Sequence, residues 1–545
     1  MFTGGTVLTG DPRRPRAEAL AIADGRVQAI GPAAAALPGR RVDLAGGVVL
    51  PGFRDGHIHP LWGGTGLSLV PAAGAATLDE LLSVVASWAA DHPDAPWVTG
   101  GGYPPALAPA GCFDAAWLDR VVPDRPAVLQ AADYHTAWAN SAALRLAGID
   151  AGTPDPALGE IVRRPDGSPL GTLRESAQEL VLRHVPAPDA AARRDGLRRA
   201  MQQMVAAGIV WAQEAALEPE DIAVYRDLAG RGELPCPVNI ALRISPDRWR
   251  EQVPEFAAVR SPTLNGVSVG TVKFFVDGVI EAGTGALLEA YADAGHSCGL
   301  PNWAPAELAA AVTAVDATGF QAHLHAIGDA AIRMALDAVE HCARVNGPRD
   351  RRPVIAHAQL VHPDDLSRFA ALGVIANFEP LWACPDSVMT ELTEPRLGPV
   401  RSSWQYPMRS MLDSGAHVSF GSDWPVSSMR PLAGLAVALS RQTPAGEPAG
   451  GWLPEQRLDL ESALAAYTCG TAYQAYDDDA GRLTPGQHAD LCLLPADPAG
   501  LAPAELADLP VTSTWVGGVE VHRSGGIRPA PPALSLTHPT SKEPR

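Results

Sequence analysis

The sequence predicts an α/β protein: a (β/α)8 TIM barrel carrying a small β-sandwich domain made from both chain ends and an inserted α/β subdomain. Three observations predict it. Eight short apolar segments alternate with helix-like stretches between about residues 47 and 440, the pattern of a parallel sheet whose strands are joined by helices. The chain ends carry turn-linked strands instead. Residues of metal-binding type recur at the C-terminal ends of the central segments, where barrel enzymes place their chemistry.

In the first 50 residues, strands are expected at 6–9, 19–22 and 27–30, with Asp24-Gly25 as a hairpin signature. Segments 489–494 and 511–522, around Gly517-Gly518, repeat that style, so 1–50 and 481–525 are expected to form the sandwich. The barrel is expected over 51–480, with strands at 47–53, 208–215, 237–243, 270–276, 320–325, 353–357, 373–377 and 416–421, and helices at 328–343 and 431–440. The stretch 66–190 exceeds a normal crossover and is read as the inserted subdomain, roofing the barrel mouth. It holds a capping box, Thr77-Leu78-Asp79-Glu80. The tail 526–545, rich in Pro, Ser and Thr, is expected to be disordered.

The formal charge of -19 argues against nucleic acid or an anionic membrane as partner, since both need a clustered basic surface. A small-molecule substrate is expected instead. Seven cysteines are scattered without a C-x-x-C pair, which fits reduced thiols. There is no basic-then-apolar leader pattern and no run of 18 uninterrupted apolar residues, so a cytoplasmic protein is expected.

Against 40 arginines the chain has two lysines, Lys273 and Lys542. Lys273 sits in the apolar run Thr271-Val272-Lys273-Phe274-Phe275-Val276, where a plain cation has no use. A buried amine can lose its proton and add carbon dioxide, giving a carbamate able to bridge two metal ions; a guanidinium cannot. A salt-bridged or catalytic amine is the alternative. In Asp55-Gly56-His57-Ile58-His59, alternate residues of an extended segment project to one side, so both imidazoles can reach one ion. His325 and His357 end the fifth and sixth strands, and Asp423 follows the eighth. A lone H-x-H is more often structural, but four histidines, a lysine and an aspartate on five strand ends make a two-metal set.

At these residues the chain resembles the metal-dependent amidohydrolase superfamily, in particular amidohydrolase family 3, the branch that includes N-substituted formamide deformylases. Pro51-Gly52-Phe53-Arg54-Asp55-Gly56-His57-Ile58-His59, Lys273-Phe274-Phe275-Val276-Asp277-Gly278, His325-Ala326-Ile327-Gly328-Asp329 and Gly421-Ser422-Asp423-Trp424-Pro425-Val426 are similar to its motifs. Asp133-Tyr134-His135-Thr136-Ala137-Trp138-Ala139-Asn140-Ser141 resembles a segment of its insertion, and Arg54 departs from its usual small or apolar residue.

The resemblance implies that His57, His59 and Asp423 hold the more buried metal, His325 and His357 the more exposed one, and carboxylated Lys273 bridges them. It implies two divalent ions per chain, a metal-bridging hydroxide as nucleophile, and Asp423 carrying the proton to the leaving nitrogen; the imidazole and carboxylate donors make zinc the first expectation, with manganese or iron as alternatives. It leaves a homodimer open as the assembly. His135 and Trp424 are candidates for the substrate pocket. Asp277 and Asp329 are candidates to orient ligands, and His323 reads as a core or ligand-supporting residue. Gly266-Val267-Ser268-Val269-Gly270 matches G-x-S-x-G but lacks the strand before and helix after the serine. Gly63-Gly64-Thr65-Gly66 and Gly283-Thr284-Gly285 read as flexible turns near the barrel mouth.

The function expected is hydrolysis of a linear C–N bond in an amide or N-substituted formamide. One alternative is a deaminase of a cyclic amidine with a single ion on His57, His59, His325 and Asp423. Another is a non-catalytic scaffold on the same fold, disfavoured because all six ligand positions are filled.

Overall fold

A strand covered by helices outside and side chains inside is buried on both faces and reads as an almost unbroken apolar run. Eight such strands form the centre of the computed structural model, which describes residues 1–525. They are β1 (Phe53–Ile58), β2 (Ile209–Leu217), β3 (Val238–Arg243), β4 (Val267–Phe275), β5 (Gln321–Ala326), β6 (Val354–His357), β7 (Ile375–Phe378) and β8 (His417–Phe420), parallel and hydrogen-bonded in sequence order. The ring comes together past β8, where the amides of Ser422 and Asp423 donate to the carbonyl of His57 at 3.2 and 2.7 Å. Residues 526–545, expected as a disordered tail, lie outside the described residues. Among the described residues no helix is long and apolar enough to cross a membrane, and all seven cysteines are free.

Alternation along the strands separates core from chemistry. Val272, Phe274 and Leu324 share one apolar cluster with Leu308 of helix Pro305–Ala317 and Ile332 and Leu336 of helix Asp329–Asn346. The residues between them, Lys273, His323 and His325, are buried on the opposite face. Ser268 lies inside β4, its hydroxyl donating to Asn239 Oδ1 at 2.9 Å, so it sits on no nucleophile turn.

The first expected strand, 47–53, divides in two. Val48–Pro51 pairs with Leu491–Leu494 and Thr6–Leu8 in a six-stranded sheet drawn from both chain ends, and β1 begins only at Phe53. Gly52 is the handover, since a Cβ there would lie 2.4 Å from Val210. The polar Arg54 and Asp55 disguise β1 as a loop in the sequence, but both find partners in place. Arg54 pairs with Asp477 at 2.9 Å, and Asp55 Oδ1 accepts from the amides of His57 and Ser422, both at 3.1 Å. A four-stranded sheet of Arg26–Ile30, Leu20–Ala23, Phe2–Thr3 and Val42–Asp43 accompanies the six-stranded one, with Phe2 packed edge-on against Trp515 at 5.2 Å.

Gly63-Gly64-Thr65-Gly66, expected as a flexible turn, lies in helix Pro60–Gly66. The glycines are there for closeness rather than mobility. A Cβ on Gly64 would lie 2.3 Å from the carbonyl of Gly196, so the helix rests directly on helix Ala190–Ala206.

Between β1 and β2 a six-stranded sheet spans Val70–Pro71 to Pro169–Glu175. Thr77 caps helix Leu78–Asp91 by accepting from the Glu80 amide at 3.2 Å. Buried Asn140 ties the inserted sheet together. It accepts from the amides of Ala127 and Ala143 and donates to the carbonyls of Val122 and Arg125, at 2.9–3.0 Å. Asn140→Ala orphans these groups and is expected to lower stability by about 3 kcal/mol, measured by chemical denaturation of the whole chain; a loss under about 1 kcal/mol would show that water replaces the side chain.

Candidate metal centre

The six expected ligand residues are all buried, and their side chains meet inside the mouth of the barrel. His57 Nε2 lies 3.2 Å from Lys273 Nζ and 3.4 Å from Asp423 Oδ1. His59 Nε2 lies 3.1 Å from the same carboxylate oxygen. The ring of His357 lies 4.8 Å from that of His57 and 4.6 Å from that of His325. One donor atom each from His57, His357 and Asp423 falls within a mutual 4.8 Å, close enough to share one ion.

Each imidazole is held from behind, which decides which nitrogen faces the centre. His57 Nδ1 meets His323 Nε2 at 2.9 Å, His357 Nδ1 meets Glu379 Oε2 at 2.9 Å, and His59 Nδ1 stands 3.5 Å from Glu214 Oε1. All three present Nε2. His325 is reversed: its Nε2 meets the carbonyl of Gly278 at 3.1 Å, leaving Nδ1 free. Asp423 Oδ1 is buried, with imidazole nitrogens on two sides but no hydrogen bond of good geometry. Neutral imidazoles, a carboxylate with an unused oxygen and a lysine amine around one point fit a divalent cation.

The electrostatics agree with the donor set. Burial, reinforced by Lys273, holds His57 well below the usual imidazole range, and burial does the same to His325, so both are neutral ligands at pH 7. Burial opposes charge on His59 as well, but the Asp423 and Glu214 carboxylates outweigh it and raise that imidazole to about 9. A field that draws a proton there also draws a metal cation. Lys273 is pushed down to about 8, first by burial, and among the described residues it has no carboxylate at ion-pair distance.

The centre opens into a cavity of about 860 Å³ walled by the barrel loops and by the insertion, which contributes Gln130, Tyr134, His135 and Glu175. His135 Nδ1 meets Glu175 at 2.9 Å, its ring lies 5.6 Å from that of His325, and Thr284 also donates to Glu175. Trp424 does not line the cavity. Its ring packs on Gly63, where a Cβ would lie 2.3 Å away, and Trp62 forms the wall instead. Asp277 accepts from the amides of Ile327, Gly328 and Ala286 at 2.8–3.0 Å; it fixes the loop that carries the Gly278 carbonyl and reaches His325 only at 3.7 Å. Asp329 opens helix Asp329–Asn346 and accepts from the Leu288 amide at 2.9 Å, so it braces a loop rather than a ligand.

Residues 40–522 match the amidohydrolase family. The chain belongs to the amidohydrolase family. It is 31% identical to Protein LONG AFTER FAR-RED 3 of Arabidopsis thaliana, over 96% of this chain and 91% of that protein. It is 28% identical to an N-substituted formamide deformylase of Arthrobacter pascens, over 95% and 97% of the two chains. An uncharacterized metal-dependent hydrolase from Pyrococcus horikoshii has the same fold, with a TM-score of 0.72 at 24% identity, covering 92% of this chain and 98% of that one.

In this amidohydrolase the sequence analysis did not single out Glu214, Glu379 or Glu175, the carboxylates behind His59, His357 and His135. The available signal was position. Glu214 lies near the C-terminal end of an otherwise apolar β2, and Glu379 directly follows β7. Burial raises the Glu379 carboxyl, so this charge depends on the His357 partner opposite it. Glu379→Gln keeps the shape and removes the charge; metal affinity, read by chelator competition, is expected to fall about 10- to 100-fold with an unchanged circular dichroism spectrum. An unchanged affinity would mean that His357 is held by its stacking on Trp382 alone, 5.3 Å away.

Proposed function

We propose that this amidohydrolase is a metal-dependent enzyme hydrolysing a linear C–N bond, in an amide or an N-substituted formamide. The observation that carries the reading is Lys273: fully buried, its amine bonded to a ligand imidazole, with no carboxylate near enough to pair it. A buried ammonium without a counter-ion is costly. A carbamate formed from the neutral amine and carbon dioxide turns that liability into an anionic ligand between two cations. His57, His59 and Asp423 would hold one ion and His325 and His357 the other, with carboxylated Lys273 between them; zinc suits such donors. The similarity to an N-substituted formamide deformylase supports the substrate class.

When bound, the cations polarise the substrate carbonyl and lower the pKa of the attacking water. The protein supplies the rest. The Asp423 carboxylate, held well below its usual range despite burial by His57 and His59, is ionised and placed to accept a proton from that water and deliver it to the leaving nitrogen. Trp62, Leu381 and Trp382 give the cavity apolar walls that hold the substrate and limit water. The single-ion deaminase reading leaves Lys273 a bare amine without a counter-ion, which is why the two-ion reading is preferred.

Purified protein is expected to carry two divalent ions per chain, to hydrolyse members of an amide and formamide panel, and to lose activity with a chelator. One ion with an unmodified lysine would favour the deaminase, and inactivity of fully loaded protein across the panel would revive the scaffold. Only the neutral amine adds carbon dioxide, and the Lys273 amine gains its neutral form as pH rises through about 8. Rebuilding stripped protein with metal and bicarbonate is therefore expected to yield more carbamate, read by 13C NMR, at about pH 9 than at about pH 6.5 (about one pH unit or more either side of that value); equal yields would show that the metal alone drives the modification.

A further inference from the structure

Among the described residues, Arg243 is the one arginine that lines the cavity. It ends β3 in register with Lys273 of β4, and registered neighbours in a ladder project to the same face. Its guanidinium carbon lies 5.8 Å from the centre of the Phe275 ring, and Lys273 Nζ lies 4.9 Å from the centre of the same ring. The guanidinium and the amine of the metal centre therefore have the same phenyl ring as a neighbour. Arg243 is exposed at the cavity wall, whereas the buried arginines have partners in the fold: Arg54 pairs with Asp477, Arg352 with Asp350 and Asp478, and Arg441 donates to three backbone carbonyls. The Arg243 side chain makes neither a hydrogen bond nor an ion pair among the described residues. Glu218, on the same wall, feels its charge without coming within pairing distance.

We propose that Arg243 receives a carboxylate on the substrate, so that the compound cleaved here is an anionic amide of the N-acyl amino acid type, with its carboxylate a few bonds from the scissile nitrogen. The inference rests on the hydrolytic reading above and narrows its substrate. A planar guanidinium offers paired N–H donors that match a carboxylate. The Phe275 ring gives the guanidinium an apolar neighbour on the cavity wall. In the reaction the water oxygen bonds to the carbonyl carbon, the C–N bond breaks, and the proton moves to the departing nitrogen, giving a carboxylic acid and a free amino acid.

The test uses the metal-loaded full chain and two substrates differing only by the carboxylate, N-formylleucine and N-formyl-3-methylbutylamine. The anionic substrate is expected to have a kcat/KM higher by about 10- to 100-fold, mostly through KM. Arg243→Met is expected to abolish that preference and Arg243→Lys to restore part of it. Equal kcat/KM values, or a loss in Arg243→Met that falls on both substrates alike, would overturn the proposal while leaving hydrolysis intact. So would a preference for cationic N-formyl-1,5-diaminopentane, which would point to Glu218 and Glu281 as the recognising groups. If neither substrate is cleaved, the hydrolytic reading fails and calorimetry decides the inference: N-formylleucine binding that weakens at least about 10-fold in Arg243→Met supports it, and undiminished binding overturns it.

Discussion

Everything at the barrel mouth depends on one constraint: polar groups packed this densely in a dry interior must each be held by a partner behind them. Four imidazoles, an amine and a carboxylate would otherwise repel, reorient or draw in water. His323 stands behind His57, Glu379 behind His357, the Gly278 carbonyl behind His325 and Glu214 beside His59. These partners come from strands or loops next to the ligands they serve, so the barrel itself sets the tautomers. Lys273 is the exception, a buried amine beside an imidazole and a phenyl ring with no carboxylate paired to it among the described residues, and that imbalance makes its modification the centre of the functional reading.

One carboxylate of the insertion bears directly on this arrangement. Glu175 accepts from His135 within the insertion and from Thr284 on the loop after β4, whose neighbour Gly278 leaves no space for a side chain: a Cβ there would lie 2.3 Å from Glu175 Oε1. The carbonyl of Gly278 in turn fixes His325. Glu175 adopts φ 49° and ψ −130°, a conformation that a non-glycine residue keeps only where its surroundings impose it. The roof of the cavity and one ligand are thus registered to each other through three contacts.

Much of this was legible in the sequence because rare residue types carried it. Seven of the eight apolar runs located their barrel strands to within a few residues, and a lysine in an apolar run, an H-x-H and single histidines at strand ends marked the ligands. β1 was misplaced because Arg54 and Asp55 look like loop residues until their partners, Asp477 and the Ser422 amide, are known, and those lie more than 360 positions away. Glu214 and Glu379 were hidden among 61 acidic residues, and Arg243 among forty arginines. Trp424 and Trp62 could not be told apart, because the close contact with Gly63 that turns Trp424 inward is a fact of packing.

The handover at Gly52 has a mechanical consequence. Val48–Pro51 belongs to the two-ended sheet and, one residue later, the chain is already the barrel wall that ends in His57 and His59. That sheet is completed by strands from the far end of the chain, Leu491–Leu494 and Ser513–Val516. Trimming the C-terminal strands would therefore unzip the scaffold from which the first ion-binding segment is hung, and the barrel cannot be treated as a portable module to be cut free of its flanks.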